Sequence, residues 1–132
     1  KRIAAFQSHS TSNPTSFAQY GAIAALTGPQ EPVEEMRKAF AARRDLVYDL
    51  VSAIPGIKTI RPQGAFYLFF NVASFGLGAT EFVNRLLDEK KVAAVPGDAF
   101  GDSESVRISY ACADSVIREA CSRMKEFCAG LE

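Results

Sequence analysis

The residues from 30 to 54 constrain this chain more than any other stretch. Val33, Met36, Phe40, Val47, Leu50, Val51 and Ile54 recur at intervals of three, four and seven, with Glu34, Glu35, Arg37, Lys38, Arg43, Arg44 and Asp45 between them. That spacing predicts a long amphipathic helix with a solvated charged face. Ile54-Pro55-Gly56 ends it, and past Gly56 the hydrophobic period shortens to that of a strand. A chain that changes period in this way buries its apolar residues by laying helices on a sheet.

The other elements follow from the same reasoning. Asn13 as a cap and Pro14 in the first helical position open a helix over 14–27, closed by Thr27-Gly28-Pro29. Ahead of it, His9 stands among Ser8, Ser10, Thr11 and Ser12 in what reads as a polar connecting segment. Residues 57–61 form a short strand ended by Pro62, Gln63-Gly64 a turn, and residues 65–72 the sheet's central strand. A Ser/Gly loop over 74–79 leads to a helix capped by Thr80 and carrying Phe82, Val83, Leu86 and Leu87 inward. Val92-Ala93-Ala94-Val95 is a brief strand stopped by Pro96-Gly97. Val106-Arg107-Ile108-Ser109-Tyr110 alternates as a half-buried strand. Asp114 caps a last helix with Val116, Ile117, Ala120, Cys121, Met124, Phe127 and Cys128 inside. The order is α, α, β, β, α, β, β, α. The class is α+β, helices packed on a small mixed or antiparallel sheet, and 132 residues suffice for one core.

Charge and cysteine usage exclude whole classes of function. Lys+Arg and Asp+Glu both number 15, so nothing draws the whole chain to nucleic acid or to an anionic membrane. The aromatic stretch 66–70 holds no Lys or Arg, so its rings are expected in the core rather than under nucleic-acid bases. No apolar run reaches the ~20 residues of a membrane span. Cys112, Cys121 and Cys128 are an odd number with no close pair, which argues against a disulfide framework or a zinc knuckle and for a reducing, cytoplasmic setting. Cys121 and Cys128, seven apart on a helix, share a buried face. The start at Lys1 suggests a piece of a longer chain.

Several motif matches fail on chemistry. Gly76-Leu77-Gly78 has the start of a dinucleotide fingerprint, but Glu81 replaces the third glycine and would repel a pyrophosphate. Ser122-Arg123-Met124-Lys125 fits S-x-x-K without the companion motifs of that acyl-transfer class. The lone His9 has no third group to hold it as a base, and no metal-ligand cluster exists. Arg107 is different in kind. A guanidinium halfway along an apolar strand is either a solvent-facing edge residue or a fork kept for a carboxylate, which it holds through two parallel hydrogen bonds.

Four segments carry a family likeness. Ser10-Thr11-Ser12-Asn13-Pro14 with Phe17-Ala18-Gln19, Gln63-Gly64-Ala65-Phe66-Tyr67, Val95-Pro96-Gly97-Asp98-Ala99-Phe100-Gly101 and Val106-Arg107-Ile108-Ser109-Tyr110-Ala111 resemble class I aminotransferases in the same order. The bacterial-type aspartate aminotransferases are the nearest branch. The resemblance implies pyridoxal 5'-phosphate as cofactor and a carboxyl-terminal small domain that closes over substrate. Residues 1–30 would approximate the end of the large domain, and 31–132 the small domain proper. It implies that Arg107, on the inner side of its sheet, grips the substrate α-carboxylate and that Gly64 and Phe66 wall the pocket. Ser10 and Ser12 would reach the cofactor site of a partner subunit, since the family is homodimeric.

The resemblance also implies absences. None of Lys1, Lys38, Lys58, Lys90, Lys91 or Lys125 sits in the family's Schiff-base motif, so this chain alone should not catalyse. Phe6-Gln7-Ser8-His9 lacks the arginine that some members use for a side-chain carboxylate. Aspartate with 2-oxoglutarate is the expected substrate pair. Aromatic amino acids, alanine or prephenate stay open, as does a free-standing module that binds an anion or a protein without chemistry.

Overall fold

The computed structural model describes residues 1–131. The chain divides into two compact units, Lys1–Met36 and the remainder from Arg37, so the division falls within one helix.

The first unit contains α1 (Arg2–Thr11), α2 (Ser16–Thr27) and the start of α3 (Glu31–Ser52). The segment around His9, expected as a connection, is therefore helical. Its helicity comes without a buried stripe, and so hydrophobic spacing did not reveal it. The cap of α2 also differs from expectation. Thr15 takes the cap position, and the turn is closed by Gln19, whose Nε2 donates to the Pro14 carbonyl at 2.8 Å. No residue of α1 or α2 is buried, and Phe6, Phe17, Tyr20 and Leu26 are exposed.

The second unit holds the core. Its sheet comprises β1 (Lys58–Thr59), β2 (Tyr67–Asn71), β3 (Val95–Pro96) and β4 (Ser105–Ser109) in the order β1-β2-β4-β3, every pair antiparallel. The expected central strand is indeed interior, as is β4, so Arg107 is not an edge residue. β1 takes only two of the expected residues 57–61, and β3 lies at Val95–Pro96, so Val92-Ala93-Ala94 is outside the strand and Pro96, expected to stop it, belongs to it. Each meets only one neighbour.

Successive residues alternate between the two faces of the sheet. Leu68, Phe70 and Val106 are buried on one face, together with Val47 and Val51 of α3. There too lie Phe82 and Leu86 of α4 (Ala79–Lys90) and Ile117, Cys121, Met124 and Cys128 of α5 (Asp114–Ala129). Burying each such Leu or Phe fully contributes roughly 1.5–3 kcal/mol before ordering costs. Cys121 and Cys128 share the buried face as expected. Leu87 and Val116 do not: each sits one position off its helix's apolar stripe and is half-exposed.

Two expected caps are also displaced, one by two positions and the other by one. Gly78 precedes α4, which frees the Thr80 hydroxyl to donate to Asp98. Ala113 precedes α5, and Asp114 instead accepts from Arg43 at 3.2 Å.

Candidate functional site

The other face of the sheet is the open one, and it carries Tyr67, Phe69, Val95 and Arg107. Phe69 and Val95 are the register partners of Arg107 on either side. Phe69 and Val95 keep 38% and 37% of their surface accessible, against 0% for Leu68 and 1% for Phe70. Arg107 thus faces away from the helices rather than into the inner side, and the rings of the aromatic stretch are split. Phe70 is core, while Phe66, Tyr67 and Phe69 are not. Parity within the strand separates Tyr67 and Phe69 from Leu68 and Phe70, though an eight-residue apolar run masks it, while Phe66 precedes the strand and is exposed despite its even position.

Arg107 is half-buried without touching the core. Its guanidinium carbon lies 4.3 Å from the centre of the Tyr67 ring and 4.4 Å from the centre of the Phe100 ring. Ring faces carry negative charge density and attract a cation held against them. Among the described residues no carboxylate or hydrogen-bond acceptor is paired with this side chain. By contrast Arg43, Arg44, Arg61, Arg85 and Arg123 each have an acidic partner. The cation is held by rings while its five N–H donors are left for something else.

Phe100 reaches that place from a tight turn. Residues Gly97–Phe100 form a single 3-10 turn after β3, closed by Gly101 and Asp102 amides donating to Asp98 and Gly97 carbonyls. Gly97 is buried where a Cβ would press on the Asp102 and Ser105 carbonyls and on the Phe69 ring, so only glycine lets the turn lie this close to β4. Asp102 anchors the far side. It accepts from the Ser105 hydroxyl at 2.6 Å and from the Glu104 amide at 3.0 Å, and these bonds hold its carboxyl below the usual carboxylate range. The Phe100 ring then meets Phe69 edge-on, centroids 6.2 Å apart.

Phe66, expected in a pocket wall, packs its ring 4.3 Å from Tyr67 and 6.2 Å from Phe40 of α3. It therefore joins the same aromatic cluster as Arg107. Gly64 lies two residues earlier in an exposed bend, with open space where a side chain would project. Between them Ala65 adopts φ +59°, a left-handed conformation that alanine rarely takes. Ser10 lies in the last turn of α1 and Ser12 just beyond it, both exposed in the first unit. Tyr67, Phe69 and Phe100 are the site residues that sequence reasoning missed.

With this geometry in view, the comparisons are specific. The family model described as aminotransferase class I and II matches residues 1–124. The chain belongs to the class I and II aminotransferases. It is 52% identical to the aspartate aminotransferase of Bacillus subtilis over 132 positions, covering 96% of this chain and 34% of that protein. The aspartate aminotransferase of Geobacillus stearothermophilus is 50% identical with the same coverage. The solved aromatic aminotransferase of Pyrococcus horikoshii superposes with a TM-score of 0.91 at 39% identity, over 98% of this chain and 35% of that one. The chain spans about a third of the length of the relatives it matches.

Class I aminotransferases are pyridoxal-phosphate enzymes, yet the described residues around Arg107 do not by themselves fit that cofactor. Lys58 of β1 lines a cleft together with Tyr67 and Phe69. Lys90 pairs with Glu126, and Lys91 donates to the Asp88 carbonyl. What this surface offers is a half-buried guanidinium held against two rings with its N–H donors open.

Proposed function

We propose that this chain is the substrate-closing, carboxyl-terminal part of a pyridoxal-phosphate-dependent transaminase, and that Arg107 receives the α-carboxylate of the amino acid. One observation carries the reading. Arg107 is a half-buried guanidinium stacked between rings on the open face of its sheet, with no acidic partner among the described residues. Its planar fork matches a carboxylate through two parallel hydrogen bonds, which fix the acid end of the substrate and with it the direction of the Cα–H bond. Phe66 and Gly64 would border the bound amino acid. In this proposal the cofactor and the Schiff-base lysine belong to residues outside this chain, which alone does not turn over substrate.

Aspartate with 2-oxoglutarate is the pair favoured by the identity to aspartate aminotransferases. An aromatic amino acid is the second reading, favoured by the ring cluster of Phe66, Tyr67, Phe69 and Phe100 and by the likeness to an aromatic aminotransferase. Comparing kcat/KM for aspartate and phenylalanine on the full-length protein separates the two. The proposal extends to a homodimeric parent in which Ser10 and Ser12 approach the partner's cofactor site. It further takes residues 1–30 as the end of the large domain and sets the enzyme in the cytoplasm.

The test of the carboxylate role is Arg107→Ala in the full-length enzyme. The loss of transition-state stabilisation expected is about 2–5 kcal/mol, as for one partner of a desolvated charge pair. A kcat/KM within threefold of the unmodified enzyme overturns it.

A further inference from the structure

We propose that Tyr67 and Phe100 are positioning residues: together they form an aromatic clamp that holds the Arg107 guanidinium in place before substrate arrives. The proposal rests on the carboxylate reading of Arg107 and goes beyond it, because neither ring needs to touch the substrate. The two rings lie 4.3 and 4.4 Å from the guanidinium carbon and make no contact with each other among the described residues, so the cation sits between them. With its flanks against rings, the guanidinium has its N–H edge left as the route for a carboxylate.

Each half of the clamp is itself braced. Tyr67 belongs to β2, pairs with Ser109 of β4 and packs on Phe66. Phe100 is carried by the Gly97 turn, set edge-on against Phe69 and tied to α4 by the Thr80 to Asp98 hydrogen bond at 3.1 Å. An arginine side chain otherwise keeps much of its rotamer freedom, and fixing it at the moment of binding weakens affinity. A clamp set by the fold meets that cost in advance.

The experiment uses the full-length enzyme loaded with pyridoxal phosphate and whichever of aspartate and phenylalanine it turns over faster. Phe100→Leu and Tyr67→Leu are expected to raise KM at least fivefold with kcat within twofold, since the grip is equally loosened for bound substrate and for the transition state. Tyr67→Phe and Phe100→Tyr, which keep the rings, are expected to stay within twofold on both constants. A second readout needs no turnover. In the substrate-free protein the Nε–H proton resonance of Arg107, assigned by its loss in Arg107→Lys, is expected to be displaced by the ring currents and to move to the ordinary arginine position in Phe100→Leu.

Unchanged KM in both leucine variants, with Arg107→Ala crippled, overturns the clamp and leaves the carboxylate role standing. Arg107→Ala within threefold overturns the carboxylate role itself. If the leucine variants do not fold, the parent's own resonance decides: an undisplaced Arg107 signal overturns the clamp, and a displaced one supports it.

Discussion

The hydroxyl of Tyr110 donates to the carbonyl of Ala65 at 3.0 Å, while the Tyr110 amide donates to the next carbonyl, that of Phe66, at 2.9 Å. One residue thus pins both ends of the peptide that places Phe66, and it pins Ala65 in a left-handed conformation at φ +59°. Tyr110 can do this because its ring is buried against Phe40, where burial also pushes its phenol pKa up. Losing one such hydrogen bond costs about 1 kcal/mol, so Tyr110→Phe should lower stability by that amount in urea titration. Ala65→Gly relieves left-handed strain of roughly 1–2 kcal/mol and adds about 0.5–1 kcal/mol of unfolded-state freedom. The expected net change is no loss. A loss above about 1.5 kcal/mol would mean that the methyl group, and not the backbone shape, matters there.

Gly97 and Gly64 should respond in opposite ways to the same substitution. At Gly97 an added methyl meets two backbone carbonyls that cannot swing aside, so Gly97→Ala should cost roughly 1–3 kcal/mol and raise KM by displacing the turn that carries Phe100. At Gly64 the space is open and the φ is ordinary, so Gly64→Ala should leave stability within about 0.5 kcal/mol. If Gly64 borders substrate, its KM moves with no change in melting temperature. Steady-state kinetics beside a melting curve reads both, and a Gly97→Ala protein as stable as the parent would show that the turn shifts freely.

These two glycines also show where the sequence was legible. The helix over 30–54 and the strand pattern around Arg107 were readable from their apolar period, although in α3 only Val47 and Val51 of that stripe are buried and Val33 and Met36 are exposed. α1 was not readable, since its second half, Gln7-Ser8-His9-Ser10-Thr11, is polar and presents no apolar stripe, whereas α2 carries one although none of its residues is buried. The caps expected at Thr80 and Asp114 lie a position or two earlier, and those side chains serve longer-range partners instead. Arg107 stood out as a cation in an apolar strand. Its partners Tyr67 and Phe100 come from segments 40 and 7 residues away in sequence, and only the antiparallel register and the Gly97 turn bring them beside it.

The cysteines give the chain a pH signature on the alkaline side. Cys112 and Cys121 line one cleft of about 660 Å³ between α5 and the segment after Lys91. Burial, reinforced by the charge of a Cys112 thiolate, pushes the Cys121 thiol from 9.0 up to about 11. Because the folded pKa is the higher one, this contribution is fully present below pH 9. It is lost as pH rises towards about 11, where the unfolded chain has already released its proton. Tyr110, raised above 10.0, acts in the same direction. Stability measured by urea titration should therefore fall from pH 9 upward, with a shallower fall in Cys121→Ala. Identical slopes for the two proteins would exclude the thiol as a cause. At neutral pH a thiol alkylating agent should modify half-buried Cys112 well before Cys121.

Arg107→Lys separates charge from shape. A lysine keeps the positive charge and stacks against rings, but it offers a single ammonium in place of a planar pair of donors. If Arg107 acted only as an electrostatic attractor, lysine would restore most of the activity that alanine removes. The fork geometry argues otherwise. Two parallel hydrogen bonds orient the carboxylate as well as bind it, and misorientation by about 1 Å costs on the order of a hundredfold. Arg107→Lys in the full-length enzyme is therefore expected to lower kcat as well as raise KM, with kcat/KM down about 100-fold. Its melting temperature should stay within a few degrees, because the side chain lies on the open face of the sheet. Recovery to within fivefold of the parent would show that position 107 needs charge alone.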